Sequence, residues 1–324
     1  MDSAEFTYRF EESQYRIVRL SANAISDVRY LFSHCFGTDP GEEAIRQKHE
    51  HCHGTHKYIG YLAYPVNSEI PAAFYAVFPT YLTDSTSTIL GAQSGDTMTH
   101  PEHQKKGLFV FLAEKTFALC SSLDIQVVFG FPNNQSYPGF IKRLNFTSLP
   151  NLVDFTLLEN RLEMHRWLSK STWTRKLQNS WTHFLFRLLT KSYPNFQRAI
   201  YPSFFQVCYD YEYFNSKSGS YRWIAISEST FWIKIQGNTL MIGAMSFSNP
   251  TVLKKALNWL RVLTFLSGNR FLTFSASPNH PIGAVMKELK LTPMGARQRV
   301  IVRNLKSTPI SGELIFTCSD IDVF

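Results

Sequence analysis

Cysteine is scarce. Cys35, Cys52, Cys120, Cys208 and Cys318 are scattered and odd in number, which excludes a disulfide framework and fits reduced cytosolic thiols. No run of about eighteen uncharged apolar residues occurs, so no transmembrane helix is expected. The first residues, MDSAEFTYRFEESQYR, are acidic and polar and have no signal-peptide core. The expectation is a cytoplasmic chain. Acids are outnumbered, 25 against 33 Lys and Arg, for a formal net charge of +8. That balance suits a polyanionic ligand, nucleic acid or an anionic membrane surface, and equally a basic soluble protein with no such partner. With 44% hydrophobic and 15% aromatic residues in 324, the chain is long and apolar enough for two folded domains.

What is present centres on one stretch, Gly95 to Phe146. A β-prone run ends at Thr99 and a Pro-containing loop follows. Gln104-Lys105-Lys106-Gly107 then opens a helix that carries Leu108, Phe111, Leu112 and Leu119 on one side. Ile125 to Phe131 is an apolar run of strand length, broken by Pro132-Asn133-Asn134, and a second helix begins near Ser136. The order is strand, loop, helix, strand, helix. Unpaired N–H groups at a helix N-terminus favour an anion, Gly107 has no Cβ to hold a ligand off, and Lys105 and Lys106 add charge. By itself a Gln-Lys-Lys-Gly turn is more often a solvated basic helix start.

Upstream, Tyr15–Leu20 alternates as an opening strand, and Ser21 can cap a helix over Ala24–Phe36 that Gly37 stops. A short helix over Glu42–Glu50 follows. Residues 49–56 hold four histidines and Cys52. No partner cluster lies elsewhere and the spacing fits no standard zinc module, so no metal site is read there. Tyr58–Ala63 and Ala72–Phe78 read as strands joined through Asn67-Ser68, Pro79–Thr88 as a polar turn, and Ile89–Thr99 as the central strand with Asp96 on it.

Thr99-His100-Pro101-Glu102-His103-Gln104-Lys105-Lys106-Gly107 matches V-x-P-x-x-[QR]-x-x-G, and Asn134 through Asn145-Phe146 keeps the frame of N-x-x-A-x-x-x-Y-x-x-x-G-F. Over about Tyr15–Phe155 the chain thus resembles the acetyl-CoA-binding core of the GNAT superfamily of N-acetyltransferases. The resemblance implies an α/β (α+β) fold with a mixed, mostly antiparallel central sheet flanked by helices. It implies acetyl-CoA as co-substrate and an N-acetyltransferase acting on a small polar amine, an amino sugar or similar acceptor. It places Met98 and Thr99 along the pantetheine arm. The N–H groups of Gln104, Lys105, Lys106, Gly107, Leu108 and Phe109 would lie on the pyrophosphate, and Asn134 at the lower pantetheine or an ordered water. Asp96 is the candidate base for direct attack, with water as the alternative, and its other reading is a turn residue in Gly95-Asp96. Glu102 reads as solvated. The chain departs from the family in two places. Phe109 stands where a small residue is usual, and Ile141 where the acid tyrosine is usual. Tyr137, one helical turn earlier on the same face, is the candidate substitute.

After Phe155 the pattern changes. Residues 161–198 hold eight Lys and Arg and one acid, Glu163, interleaved with Trp167, Trp173, Trp181, Phe184 and Phe186. Such a segment suits an anionic membrane surface or nucleic acid, but tryptophans are more often buried, and a packed connector is preferred. Beyond it the element order repeats: strand Leu240–Phe247, helix Thr251–Leu266, strand Phe271–Ser275, Pro278-Asn279-His280-Pro281 echoing Pro132-Asn133-Asn134, helix Ile282–Leu289 and a last strand Val300–Val302. Ser248-Asn249-Pro250-Thr251 replaces the Q-x-x-G loop. The division read from this is a cofactor-holding domain 1–158, a connector 159–205 and a degenerate second copy 206–324. The partner expected is a small-molecule amine, with no nucleic acid and with membrane-surface contact left open. Two further classes are kept, an aminoacyl-tRNA-dependent transferase of similar tandem fold and a non-catalytic protein that binds CoA or an anionic surface. The loop at Gln104–Gly107 argues against the first.

Overall fold

Alternating and apolar runs become strands, and amphipathic runs become helices, in two compact units. The computed structural model describes residues 6–50, 53–54, 56–160, 181, 184–186, 190–191, 196, 199–217, 221–291, 293–306, 310 and 312–321. One unit comprises 1–149, 211–218 and 300–312, the other 150–210, 219–299 and 313–324. These bounds differ from the division read at 158 and 205, because short late segments return to the first unit, which composition along the chain does not register.

In the first unit, β1 (Phe6–Phe10) and β2 (Ser13–Arg19) form a hairpin. β3 (Ile59–Pro65), β4 (Ala73–Thr83) and β5 (Thr88–Thr99) continue it as an antiparallel meander. β6 (Val127–Gly130) then pairs parallel to β5. Residues Ile301 to Asn304 run antiparallel along the far side of β6. That stretch was expected to close the second copy; it lies in the first unit instead. Pro79 also departs from expectation. It lies inside β4, past Val77 where the β3 ladder ends, and the turn is confined to residues after Thr83. There Asp84 Oδ1 accepts from the N–H groups of Thr86 and Ser87, both at 2.7 Å.

Helices cover both faces of this sheet. α1 (Ile25–Phe36) ends on Gly37, whose φ of 69° and N–H bond to the Ser33 carbonyl close the last turn. Ser21 precedes a 3-10 turn (Ala22–Ala24) and makes no side-chain cap. α2 (Glu42–Glu50) carries Ile45 and His49 inward. With Val28, Leu31, Leu62, Phe74 and Met98, α1 and α2 fill the core of one face. α3 (Leu108–Ser122) and α4 (Tyr137–Arg143) fill the other, with Leu108, Leu112, Phe117 and Phe140 buried against Tyr75, Val77 and Val128. α3 begins at Leu108, four residues later than expected, because Pro101–His103 forms its own 3-10 turn.

Phe109, the oversized residue of the motif, packs beneath α4. Its ring stands 5.1 Å edge-on to Phe140 and 6.0 Å from Tyr75. Gly139 makes the room: a Cβ there would come 2.8 Å from Phe109 Cε1. Gly139→Ala is therefore expected to cost about 1–3 kcal/mol by overpacking, read by urea unfolding. Phe109→Leu in that background should restore most of the loss, and a neutral Gly139→Ala would contradict the packing.

The second unit contains β7 (Thr147–Glu159), whose residues from Val153 onward pair with a later strand, and the short β8 (Thr190–Lys191) and β9 (Phe204–Val207). α5 (Tyr211–Ser216) belongs to the first unit. β10 (Tyr221–Ile226), β11 (Ser229–Gln236) and β12 (Thr239–Ser246) form an antiparallel meander. α6 (Pro250–Leu266) leads to β13 (Phe271–Ala276), parallel to β12, and α7 (Ile282–Glu288) follows. β7 runs antiparallel along β13. β14 (Pro293–Asn304), whose residues from Val300 onward belong to the first unit, and β15 (Glu313–Leu314) complete the described strands. Leu253, Leu257 and Leu260 of α6 pack on Phe231, Ile242 and Phe274. Both units thus share one order: meander, helix, parallel strand, helix.

Most of the basic connector lies outside the described residues, Trp167 and Trp173 included. Of its described aromatics, Trp181 and Phe184 are about half exposed and stacked on each other, and Phe186 is buried. No described helix is long and apolar enough to cross a membrane.

Candidate acyl-CoA site

The site grows out of two irregularities in β5. The first is a bulge. Along β4, Phe74 faces Met98 but Ala76 faces Gly95, so β5 carries one extra residue there. Asp96 sits in it with φ at +50°, a conformation that Asp tolerates better than most residues. A glycine followed by an aspartate inside an otherwise regular strand is the sequence signal for such a bulge. The second irregularity is the end of the parallel ladder. β5 pairs with β6 only from Gly91–Val127 to Ser94–Gly130. From Gly95 to Thr99 the described structure pairs β5 with β4 alone, and this is where an extended ligand could lie along a strand edge.

His100 N donates to the Ala72 carbonyl at 2.8 Å. Antiparallel alternation then turns the backbone groups of residue 98 toward β4 and those of Thr99 outward. Of the two residues expected along the pantetheine arm, Thr99 presents its backbone on the open edge. Met98 is instead a core residue, 3% exposed, on the α1–α2 face. Cys35 of α1 lies against the Thr99 backbone, and burial raises its thiol above the ordinary value.

Beyond Thr99 the chain builds the loop expected to take an anion. Lys105 and Gly107 both have positive φ, 64° and 73°, bracketing Lys106. Alternation of handedness in successive residues turns backbone N–H groups to a common side. Phe111 N donates to the Gly107 carbonyl at 3.0 Å and is the first amide of the α3 ladder. The amides of Gly107 to Val110 therefore have no partner within the helix. Gln104 differs from expectation. Its N–H turns back to the Pro101 carbonyl at 3.4 Å, and its side-chain amide reaches the Thr99 carbonyl at 3.4 Å. It braces the loop rather than adding an amide to it. Lys105 is exposed and Lys106 half-buried.

Sequence reasoning missed what holds the loop. Tyr8, on the opening hairpin, donates its hydroxyl to the Lys106 carbonyl at 3.0 Å, and its ring lies 4.3 Å from that of Phe111. A Cβ on Gly107 would stand 2.5 Å from the Tyr8 hydroxyl. One side of Gly107 is thus closed by Tyr8, and the glycine is required by that contact as well as by its φ. Tyr15 bonds His103 Nδ1 at 2.9 Å, tying the same hairpin to the 3-10 turn. His100, Glu102 and His103 bring one donor atom each within 4.8 Å of one another. Divalent cations can use that spacing, but the group is partly exposed and its members serve the turn.

Asp96 is not a solvated turn residue. Its carboxylate is 7% exposed, with Oδ1 3.0 Å from Lys48 Nζ and Oδ2 3.8 Å from His49 Nε2. Both partners come from the last turn of α2. His49 is 1% exposed and sits against Phe74 and Phe78. Burial, with Lys48 adding to it and Asp96 opposing, lowers its pKa to about 4. It is a neutral imidazole at physiological pH. Between about 4 and 6.5 the unfolded chain binds a proton that the folded chain does not, so stability falls as pH drops through that window and levels below it. The expected loss is roughly 3 kcal/mol. Chemical denaturation at successive pH values should show this slope, and His49→Phe should remove it; an unchanged slope would contradict the assignment.

His53, also from the histidine-rich run, is buried separately, with Nδ1 2.9 Å from Thr80 Oγ1. His51, Cys52 and Thr55 lie outside the described residues. Asn134 is exposed at the turn before α4, and its neighbour Asn133 organises that turn, accepting from Gln135 N at 3.0 Å and Ser136 N at 2.9 Å. Tyr137 opens α4 and, like Ile141, packs partly buried against the α3 core. Asn145 holds φ at +52°, the conformation that a glycine at that motif position would supply.

Residues 16–148 match the family model described as an acetyltransferase (GNAT) domain. Among solved structures, a GCN5-related N-acetyltransferase from Kribbella flavida is similar at 11% identity and TM-score 0.56, over 90% of this chain and 71% of that one. A GCN5-related N-acetyltransferase from Anabaena variabilis shares 12% identity at TM-score 0.54, over 90% and 73%. N-myristoyltransferase of Saccharomyces cerevisiae, solved with myristoyl-CoA, shares 11% identity at TM-score 0.54, over 96% and 87%. No curated protein matches in sequence. At such identities the structures speak for the fold, and the family model for the domain. Residues 16–148 thus carry an acetyltransferase (GNAT) domain. That domain is one of an acyl-CoA-dependent N-acyltransferase, with acyl-CoA as co-substrate.

Proposed function

We propose that this chain transfers an acetyl group from acetyl-CoA to the amine of a small polar acceptor. The observation that carries this reading is the geometry of β5: a strand edge that opens at Ser94, a buried carboxylate in the bulge beside the opening, and a left-handed loop capping α3 at the far end. The amides of Lys105 to Phe109 are assigned to the pyrophosphate, with the charges of Lys105 and Lys106 beside them. Thr99 lies along the pantetheine arm, and Asn134 marks its lower end.

The acceptor nitrogen attacks the thioester carbon directly. Its proton passes to Asp96 or to a water that Asp96 holds, the C–N bond forms, and the C–S bond breaks to release CoA thiolate. Lys48 fixes Asp96 at 3.0 Å, and neutral His49 adds a second polar group beside it. Tyr137 is assigned as the acid that protonates the thiolate, since Ile141 packs apolar against the core. The repeated element order supports a tandem duplication in which only the first copy keeps the phosphate loop.

The test is an acceptor panel of amino sugars, polyamines and amino acids, scored for thiol release and for a product heavier by one acetyl group. Transfer to at least one amine supports the reading. Release of thiol with every product unacetylated would leave only hydrolysis and would overturn it. For Tyr137, the Phe variant should slow turnover; an unchanged rate removes it from the mechanism.

A further inference from the structure

The second half of α6 is apolar on both sides. Leu253, Leu257 and Leu260 pack inward, as a helix covering a sheet requires. The opposite side should then be polar, and at first it is: Thr251, Lys254, Lys255 and Asn258 are exposed. From Trp259 onward that pattern fails. Trp259 is 60% exposed, and Val262, Phe265 and Leu266 are each more than a third exposed along the same side.

Two aromatic residues of the basic connector extend this patch. The Trp181 indole N–H donates to the Leu266 carbonyl at 3.0 Å, and the Trp181 and Phe184 rings stack at 5.8 Å. Single exposed apolar side chains are ordinary on a protein surface. Six grouped on one helix face and its end mark an interaction surface.

Charge selects the partner. α6 carries Lys254, Lys255 and Arg261 and no acid. Lys255 stands one turn before Trp259 on the same stripe. Arg261 donates to the Leu157 carbonyl at 2.7 Å and to Asn258 Oδ1 at 2.8 Å, both neutral acceptors. Residues 161–198, which supply Trp181 and Phe184, hold eight Lys and Arg against one acid. A twofold contact with a second copy would set these cations against themselves. Single-stranded nucleic acid would use the rings, but Val262 and Leu266 offer no face for stacking. An anionic bilayer uses every part: tryptophans at the headgroup boundary, aliphatic side chains beneath them and lysines at the phosphates. No described helix is long and apolar enough to cross a membrane, so α6 would lie on the surface.

We propose that the outer face of α6, with Trp181 and Phe184, seats the second unit on an anionic lipid surface.

The test is flotation of the full chain with vesicles of phosphatidylserine and phosphatidylcholine in equal parts, against phosphatidylcholine alone. Binding to the mixed vesicles should be saturable, and at least about tenfold weaker without phosphatidylserine. Lys254→Gln with Lys255→Gln should weaken binding to the mixed vesicles at least about tenfold, and so should Trp259→Ser with Val262→Ser. These side chains are exposed, and thermal melting checks that each variant folds. Ile70→Ser, at an exposed apolar residue of the first unit, should leave vesicle binding unchanged. The proposal is overturned if the chain does not float, if either pair of substitutions leaves binding as in the parent, or if Ile70→Ser weakens it equally. It is also overturned if the Trp259 and Val262 substitutions abolish poly(U) binding or dissociate a dimer in place of vesicle binding.

Discussion

Gly107→Asp should abolish acyl-CoA binding. A β-carbon at φ +73° is strained by about 1–2 kcal/mol, and it would stand 2.5 Å from the Tyr8 hydroxyl. The carboxylate also adds negative charge where the pyrophosphate is assigned. Calorimetry should find affinity reduced by at least about a hundredfold, an order that strain and charge together reach easily. The structure supplies a way to separate these effects. Gly107→Ala keeps the strain and the clash without the charge, and Tyr8→Phe removes the clashing oxygen, leaving the next ring atom 3.7 Å away. The double variant should therefore bind acyl-CoA better than Gly107→Ala alone. If it binds no better, the hairpin does not hold the loop in the way described.

Asp96→Asn should lower turnover by about 10²–10⁴-fold, the range for loss of a positioned base, with acyl-CoA affinity unchanged. Asn is nearly isosteric and accepts positive φ, so the bulge should survive and the effect should fall on kcat. Loss of binding instead of rate would make Asp96 a structural pin for the bulge. The ion pair with Lys48 sharpens the test. Lys48→Met removes the partner that fixes the carboxylate at 3.0 Å, so kcat should fall while acyl-CoA affinity is kept. An unchanged kcat would mean that the ion pair does not position the base.

How much of this could be read from the chain depended on whether the signal was local. The helix Glu42–Glu50 and the strand ending at Thr99 were legible because apolar periodicity is written in neighbouring residues. The loop assigned to the pyrophosphate was legible as a motif. The way Lys48 and His49 meet Asp96 was not, since it depends on one extra residue in β5, and only Gly95 hints at it. Tyr8 was hidden because its hairpin reads as a polar, acidic start, and its role is fixed by a residue almost a hundred positions away. Phe109 looked like a departure from the family until Gly139 was seen opposite it. The Val300–Val302 strand was found, but its partner β6 could not be, because strand pairing at that separation leaves no local mark.

The most direct measurement is a calorimetric titration of the full chain with acetyl-CoA. One loop assigned to the pyrophosphate, at Lys105–Gly107, and one counterpart capped by Asn249 predict saturable binding with a stoichiometry of one and an affinity that weakens with salt. Heats no larger than dilution, or a stoichiometry of two, would contradict the account.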